Sequence, residues 1–164
     1  MPVSGFGVVA LPAINTLLQV GQGNSPETFY TLANVSSISG PSLEGNVVDV
    51  TSMSTNLPWR QKVVTLLQGG EVSFDIFWIP MLQSSSGIEG HVNLLTLFVN
   101  RGQSAVAGQA IDFRLVFPDQ DASTYTFSGF ISKLSLTEKV EDVVRAACTI
   151  TITGALGFPY GTPA

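Results

Sequence analysis

The side chains able to do chemistry are few and scattered along the chain. His91 is the sole histidine and Cys148 the sole cysteine in 164 residues. A Ser-His-Asp relay needs a nucleophile and an acid placed beside the imidazole. His91 instead sits in a helical pattern among apolar neighbours, and no G-x-S-x-G elbow occurs, so a structural role fits it better. Cys148 lies mid-strand near Ala146, Ala147 and Ile150, where a thiol packs as a small hydrophobe. One cysteine also excludes an intrachain disulfide and a multi-cysteine zinc site. Glu44 and Asp49 are two carboxylates without a third clustered ligand, which suits solvated charges or subunit contacts better than a metal. Gly21-Gln22-Gly23 does not open a helix, so it is no phosphate loop. Asn34-Val35-Ser36 matches a glycosylation acceptor, but no secretory pattern accompanies it. The expectation is a protein that is not an enzyme and carries no cofactor and no metal.

Composition narrows the remaining classes. Apolar residues make up 45% of the chain and charged residues 12%, about half the usual charged share. A surface with so few charges is expected to be covered largely by other subunits. Twelve acids against seven bases leave a net charge of −5. The widest basic cluster is Arg60 with Lys62, too little to neutralise a run of phosphates, so ordinary nucleic-acid binding is excluded. The opening residues, MPVSGFGVVALPAINTLL, are apolar but lack a charged flank, and Pro and Gly interrupt them. They read as an extended arm, not as a signal peptide or membrane span.

The elements that would position any site are mostly strands. Asn15 to Gly21 reads as a short strand, and Thr28 to Ser39 as a strand region broken near Asn34. Gly70 to Pro80 alternates cleanly: Val72, Phe74, Ile76 and Trp78 share one face, while Glu71, Ser73 and Asp75 share the other. Ser84 to Gln103 changes period, with Ile88, Val92, Leu95 and Val99 recurring at helical spacing. This predicts one amphipathic helix of roughly 12–15 residues, with Ser84–Ser86 as its cap and Arg101-Gly102 as its end. Ala110 to Asp119 alternates again, placing Ile111, Phe113, Leu115 and Phe117 inward. Ser123 to Gly154 reads as two long strands, the first with a phase break assigned to a bulge near Gly129. In the second, Val144, Ala146, Cys148, Ile150 and Ile152 share a face opposite Arg145, Thr149, Thr151 and Thr153.

These elements predict a mainly β fold: an antiparallel β-sandwich or barrel flanked by one α-helix. The expected organisation is an N-terminal arm over 1–14, a β domain over 15–154 and a C-terminal arm over 155–164. Within the domain, 38–62 stands out as long, polar and almost without core residues. It reads as a loop or hairpin that becomes ordered on a partner.

The run TFYTLANVSSISGPSLEGNVVDVTSMSTNLPWRQKVVTLLQGGEVSFDIFW, from Thr28 to Trp78, resembles the tail tube proteins of long-tailed bacteriophages. Its most specific part is GPSLEG followed by VVDVTS; the helix, the strand ending in Pro118-Asp119 and the FSGFISKLSL…ACTITITG pair follow in matching order. The resemblance covers about 140 residues, Asn15 to Gly154. It implies a virion component made in the bacterial cytoplasm, assembling into rings, usually hexameric, that stack into a hollow tube for DNA. The implied partners are further copies of the chain and the tape-measure, tail-tip and tail-terminator proteins; DNA passes without specific binding, and no membrane is involved. The same residues would also serve a gene transfer agent, a phage-like bacteriocin or a type VI-like secretion tube.

The expected inter-subunit residues are Pro41, Leu43, Glu44, Val48, Asp49, Thr51, Trp59 and Arg60, with Trp59-Arg60 as the anchor on a neighbour. The candidate lumen residues are the polar strand faces: Glu71, Ser73 and Asp75, then Thr149, Thr151 and Thr153, with Ser132 depending on the bulge. A tube wall of low positive charge lets DNA slide. A reading of another class is a carbohydrate-binding β-sandwich using Trp59, Trp78 and Tyr125 as a platform. Trp78 on the apolar face and Trp59 in a loop speak against it.

Overall fold

The computed structural model describes residues 13–21, 26–53, 58–85, 87–99, 110–119 and 122–157. The strands are β1 (Leu17–Gly21), β2 (Phe29–Leu32), β3 (Val35–Ser39), β4 (Glu44–Asp49), β5 (Lys62–Gln68), β6 (Glu71–Phe77), β7 (Ile88–Glu89), β8 (Ile111–Val116), β9 (Thr124–Thr137) and β10 (Arg145–Gly157). The helix α1 is His91–Val99. Eight strands form one sheet in the order β3-β6-β10-β9-β8-β1-β2-β7, while β4 and β5 form a separate two-stranded sheet.

The large sheet curls into a barrel, and the short β2–β3 connection shows why. These strands lie near opposite ends of the sheet order, yet only Ala33 and Asn34 separate them. A two-residue link cannot cross an open sheet, so the ends must come together. Six antiparallel pairings lead from β3 round to β2. An even number of reversals makes β2 and β3 parallel, so they act as one bent strand paired with β1 along its first half and β6 along its second. Asn34 makes the bend with φ 58°, a left-handed conformation that asparagine tolerates.

Strand alternation fills the interior. Leu18 and Val20, Val72, Phe74 and Ile76, Phe113 and Leu115, and Ala146, Cys148 and Ile150 all point into one core cluster. The expected inward sets of β6, β8 and β10 are buried or packed against that cluster. On the outer surface, Arg114 donates to Gln19, Gln19 donates to Thr31, and the Arg114 guanidinium lies over Phe29, lacing β8, β1 and β2 together.

The helix differs from the sequence expectation. It starts at His91, because Ile88 and Glu89 form the short parallel strand β7 beside β2. Ser84 therefore does not begin the helix; its hydroxyl accepts from the Gly90 N–H and donates to Glu89. Ser86 and the expected end at Arg101-Gly102 lie outside the described residues. The buried stripe is His91 and Leu94, with Leu97 and Phe98 against the core, while Leu95 and Val99 are exposed. A polar residue at the first core position displaced the apparent stripe. His91 accepts from the Ile79 N–H at Nδ1 (2.9 Å), donates from Nε2 to the Ala33 carbonyl (3.0 Å), and stacks on Trp78. These bonds suit the neutral imidazole and tie α1 to the β2–β3 bend.

The β9 bulge is also displaced. Gly129 is in register opposite Ile152, and the shift falls between the pairs Ile150–Ile131 and Thr149–Lys133, leaving Ser132 as the extra residue. Gly129 is needed for contact instead: a Cβ there would press on the Thr151 carbonyl.

Candidate functional site

Two surfaces stand out, and neither is a catalytic pocket. The first is the hairpin of β4 and β5, which occupies most of the 38–62 stretch and runs past it to Gln68. Gly40 (φ 108°) and Gly70 (φ 64°) set where it leaves the barrel. A Cβ on Gly40 would strike the Glu71 carbonyl, and one on Gly70 the Ser42 carbonyl, so the two legs run side by side at a spacing that glycine permits. Ile152 donates to the Gly70 carbonyl and fastens this base to β10 (3.0 Å).

Every residue of β4 and β5 is exposed. This includes Val47, Val48, Val63 and Val64, with Leu66 at 66% and Leu67 at 82%. The far end is polar and ordered by local bonds. Asp49 accepts from the Thr51 hydroxyl (2.5 Å) and the Thr51 N–H (2.9 Å), and the Thr51 hydroxyl accepts from the Gln61 N–H (2.9 Å). These Thr51 bonds, side chain first and then backbone, hold the Asp49 carboxyl below its ordinary value. Arg60 reaches Asp49 at 3.8 Å, an exposed pair that orients more than it stabilises. Pro41 and Leu43 lie on the leg rising to β4, and Trp59 stands 76% exposed beside Arg60.

Sequence reasoning ended this region at Lys62 and missed Val63, Val64, Leu66 and Leu67. The available signal was the run KVVTLLQ, which is apolar but does not alternate.

The second surface is polar. Glu71, Ser73 and Asp75 sit directly across from Thr151, Thr149 and Ala147, so the rows on β6 and β10 share one face. Thr153 continues the β10 row opposite Ser128. Ser132 and Lys133 are both exposed between inward Ile131 and half-buried Leu134, so the bulge brings Ser132 to this face. Its hydroxyl donates to the Thr149 carbonyl (3.2 Å). On β3, Ser37 donates to the Asp75 carboxylate (2.9 Å). Hydroxyls dominate this surface, with Glu71, Asp75, Lys133 and, at the Phe77 end, Arg145 as its charges.

The remaining candidates are structural. Burial, and then the nearby Asp75 charge, push the Cys148 thiol up to about 12, so it is not a thiolate at neutral pH. Trp78 is buried, and Tyr125 packs edge-on against Phe117, so these aromatics form no platform with Trp59. Among the described residues no group of three or more His, Cys, Asp or Glu could hold a metal, and no helix is long and apolar enough to cross a membrane.

Comparison with known proteins supplies the context. A search of curated proteins finds no match. The tail of an empty gene transfer agent particle, refined with C6 symmetry, shares this fold at TM-score 0.66 and 16% identity, covering 91% of this chain and 98% of that one. A sheath/tube terminator of an extracellular contractile injection system is similar at 0.61 and 12%, covering 92% and 96%. The SPP1 tail tube is similar at 0.60 and 9%, covering 94% and 81%. The profile described as "Lambda phage tail tube protein, TTP" matches residues 17–158, nearly the whole β domain. The chain therefore belongs to the lambda phage tail tube protein family, and is a structural subunit of the virion tail.

Proposed function

We propose that this subunit forms six-membered rings that stack into a hollow tube for DNA, with the β4–β5 hairpin carrying the ring-to-ring contact. The observation that carries the reading is the hairpin itself: an apolar projection, wholly exposed in a single chain, on a protein built to polymerise. Pro41, Leu43, Glu44, Val48, Asp49, Thr51, Trp59 and Arg60 contribute to that contact, together with Val63, Val64, Leu66 and Leu67. The C6 symmetry of the gene transfer agent tail supports six subunits per ring.

The polar face carrying Glu71, Ser73, Asp75, Ser132, Thr149, Thr151 and Thr153 faces the lumen. Its hydroxyls hydrate well, and Glu71 and Asp75 offset Lys133 and Arg145, so no net positive charge holds phosphates and DNA moves along it. The role is mechanical and not enzymatic. Tape-measure, tail-tip and tail-terminator proteins are the expected neighbours at the tube interior and ends.

Negative-stain microscopy tests the reading. The purified protein forms long tubes, and a variant with residues 44–68 replaced by a short Gly-Ser linker remains a folded, soluble species without tubes. Normal long tubes from that variant would overturn the assignment of the hairpin. Thr149→Lys with Thr151→Lys leaves tubes intact but slows DNA delivery. A tube map with this face on the outer surface would refute the lumen assignment.

A further inference from the structure

We propose that each hairpin is gripped on both faces, by two further copies of this chain that meet at a slot. The inference rests on the hairpin being the ring-to-ring contact, and specifies how many partners it has. Val47 lies directly across from Val64, and Val48 directly across from Val63. Neighbouring residues of a strand point to opposite faces, so each face carries one of these valine pairs. The leucines divide in the same way. Leu67 is paired with Gly45, whose Cβ direction points at Leu67 and Val64, so Leu67 joins the Val47–Val64 face. The register shift places Leu66 on the other face, with Val48 and Val63.

A hairpin laid on one flat surface would alternate apolar and polar residues, as β6 does. This hairpin is apolar on both faces, and a two-stranded hairpin is marginal by itself. Covering one face would leave the opposite valine pair and leucine in water. A slot that takes both faces must hold two strands about 20 Å long with side chains on either side, on the order of 2,000 Å³ from strand and sheet spacings. Two clefts on the described surface enclose about 740 and 870 Å³ of open space, less than half of that. The slot lies between subunits, where two copies can each cover one face. A closed ring has as many subunit junctions as subunits, so each incoming hairpin finds one slot.

Photo-crosslinking under sparse labelling tests this. p-Benzoylphenylalanine replaces Val64, Val48 or both, and the labelled chain is mixed with a large excess of unlabelled chain before assembly. Each single-site variant is expected to yield a crosslinked dimer, and the double-site variant a trimer whose two adducts map to different surfaces. Labels at Leu67 and Leu66 repeat the test if the valine variants do not assemble. Tubes in which the double label gives dimers alone, with both adducts on one copy, overturn the two-sided grip and leave the hairpin contact standing. Crosslinks from either face back to the same chain also overturn it. Tubes without any intermolecular crosslink at these sites overturn the hairpin contact as well.

Discussion

β5 and β6 are neighbours of equal length with opposite fates. Each has seven residues, and Gly69-Gly70 separates them. β5, KVVTLLQ, is exposed at every position; β6, EVSFDIF, buries every second residue. The strand with two acids supplies the core, and the strand with two valines and two leucines remains in solvent. Period and pairing partners account for this better than total hydropathy. β6 alternates and lies between β3 and β10, so one face is enclosed. β5 pairs with β4 alone.

The contrast can be tested by substitution in both strands. Phe74→Ala in β6 is expected to have the largest effect on folding, about 3–5 kcal/mol in denaturant unfolding, because it empties a fully packed position. Loss below about 1 kcal/mol would mean that the barrel collapses onto the gap. His91→Ala comes next, on the order of 2–4 kcal/mol, since the Ile79 N–H and the Ala33 carbonyl lose their partner. Leu66→Ser with Leu67→Ser is expected to change monomer stability by less than about 0.5 kcal/mol, as exposed sites do, while preventing tube growth. Equal unfolding loss from this pair and from Phe74→Ala would remove the distinction between the regions.

The smallest effect concerns the hairpin end. Asp49 has a depressed folded-state value, so its contribution is full above the ordinary 3.8 and is lost as pH falls through the depressed value. Above pH 5 the Gln61 and Thr51 amide signals should be insensitive to pH, and Thr51→Ala should return Asp49 towards its ordinary titration by NMR. An unchanged Asp49 titration in Thr51→Ala would show that these bonds do not set it.

Much of the barrel was legible because alternation is a local property. Val72, Phe74 and Ile76, or Ala146, Cys148 and Ile150, declare their face through period two alone. The helix was harder. Ile88, Val92, Leu95 and Val99 repeat at helical spacing, but His91 has the buried place, because its two ring nitrogens satisfy backbone groups from distant strands. The bulge was expected near Gly129 from a break in the phase of apolar alternation, whereas pairing with β10 put it at Ser132. The hairpin was half legible. GPSLEG and VVDVTS marked a segment without core, but its second strand, β5, reads as ordinary interior by composition.

By itself the sequence determined the β class, the inward residues of the long strands and the break at Asn34. These follow from side-chain period, backbone preference and residue chemistry, which act over a few neighbours. Tertiary structure decided that β2 and β3 close a barrel, that His91 is buried, that the polar rows of β6 and β10 share one face, and that β5 stands clear of the core. Each of these depends on which distant strand pairs with which and in what register, and side-chain period along one strand does not encode its partner.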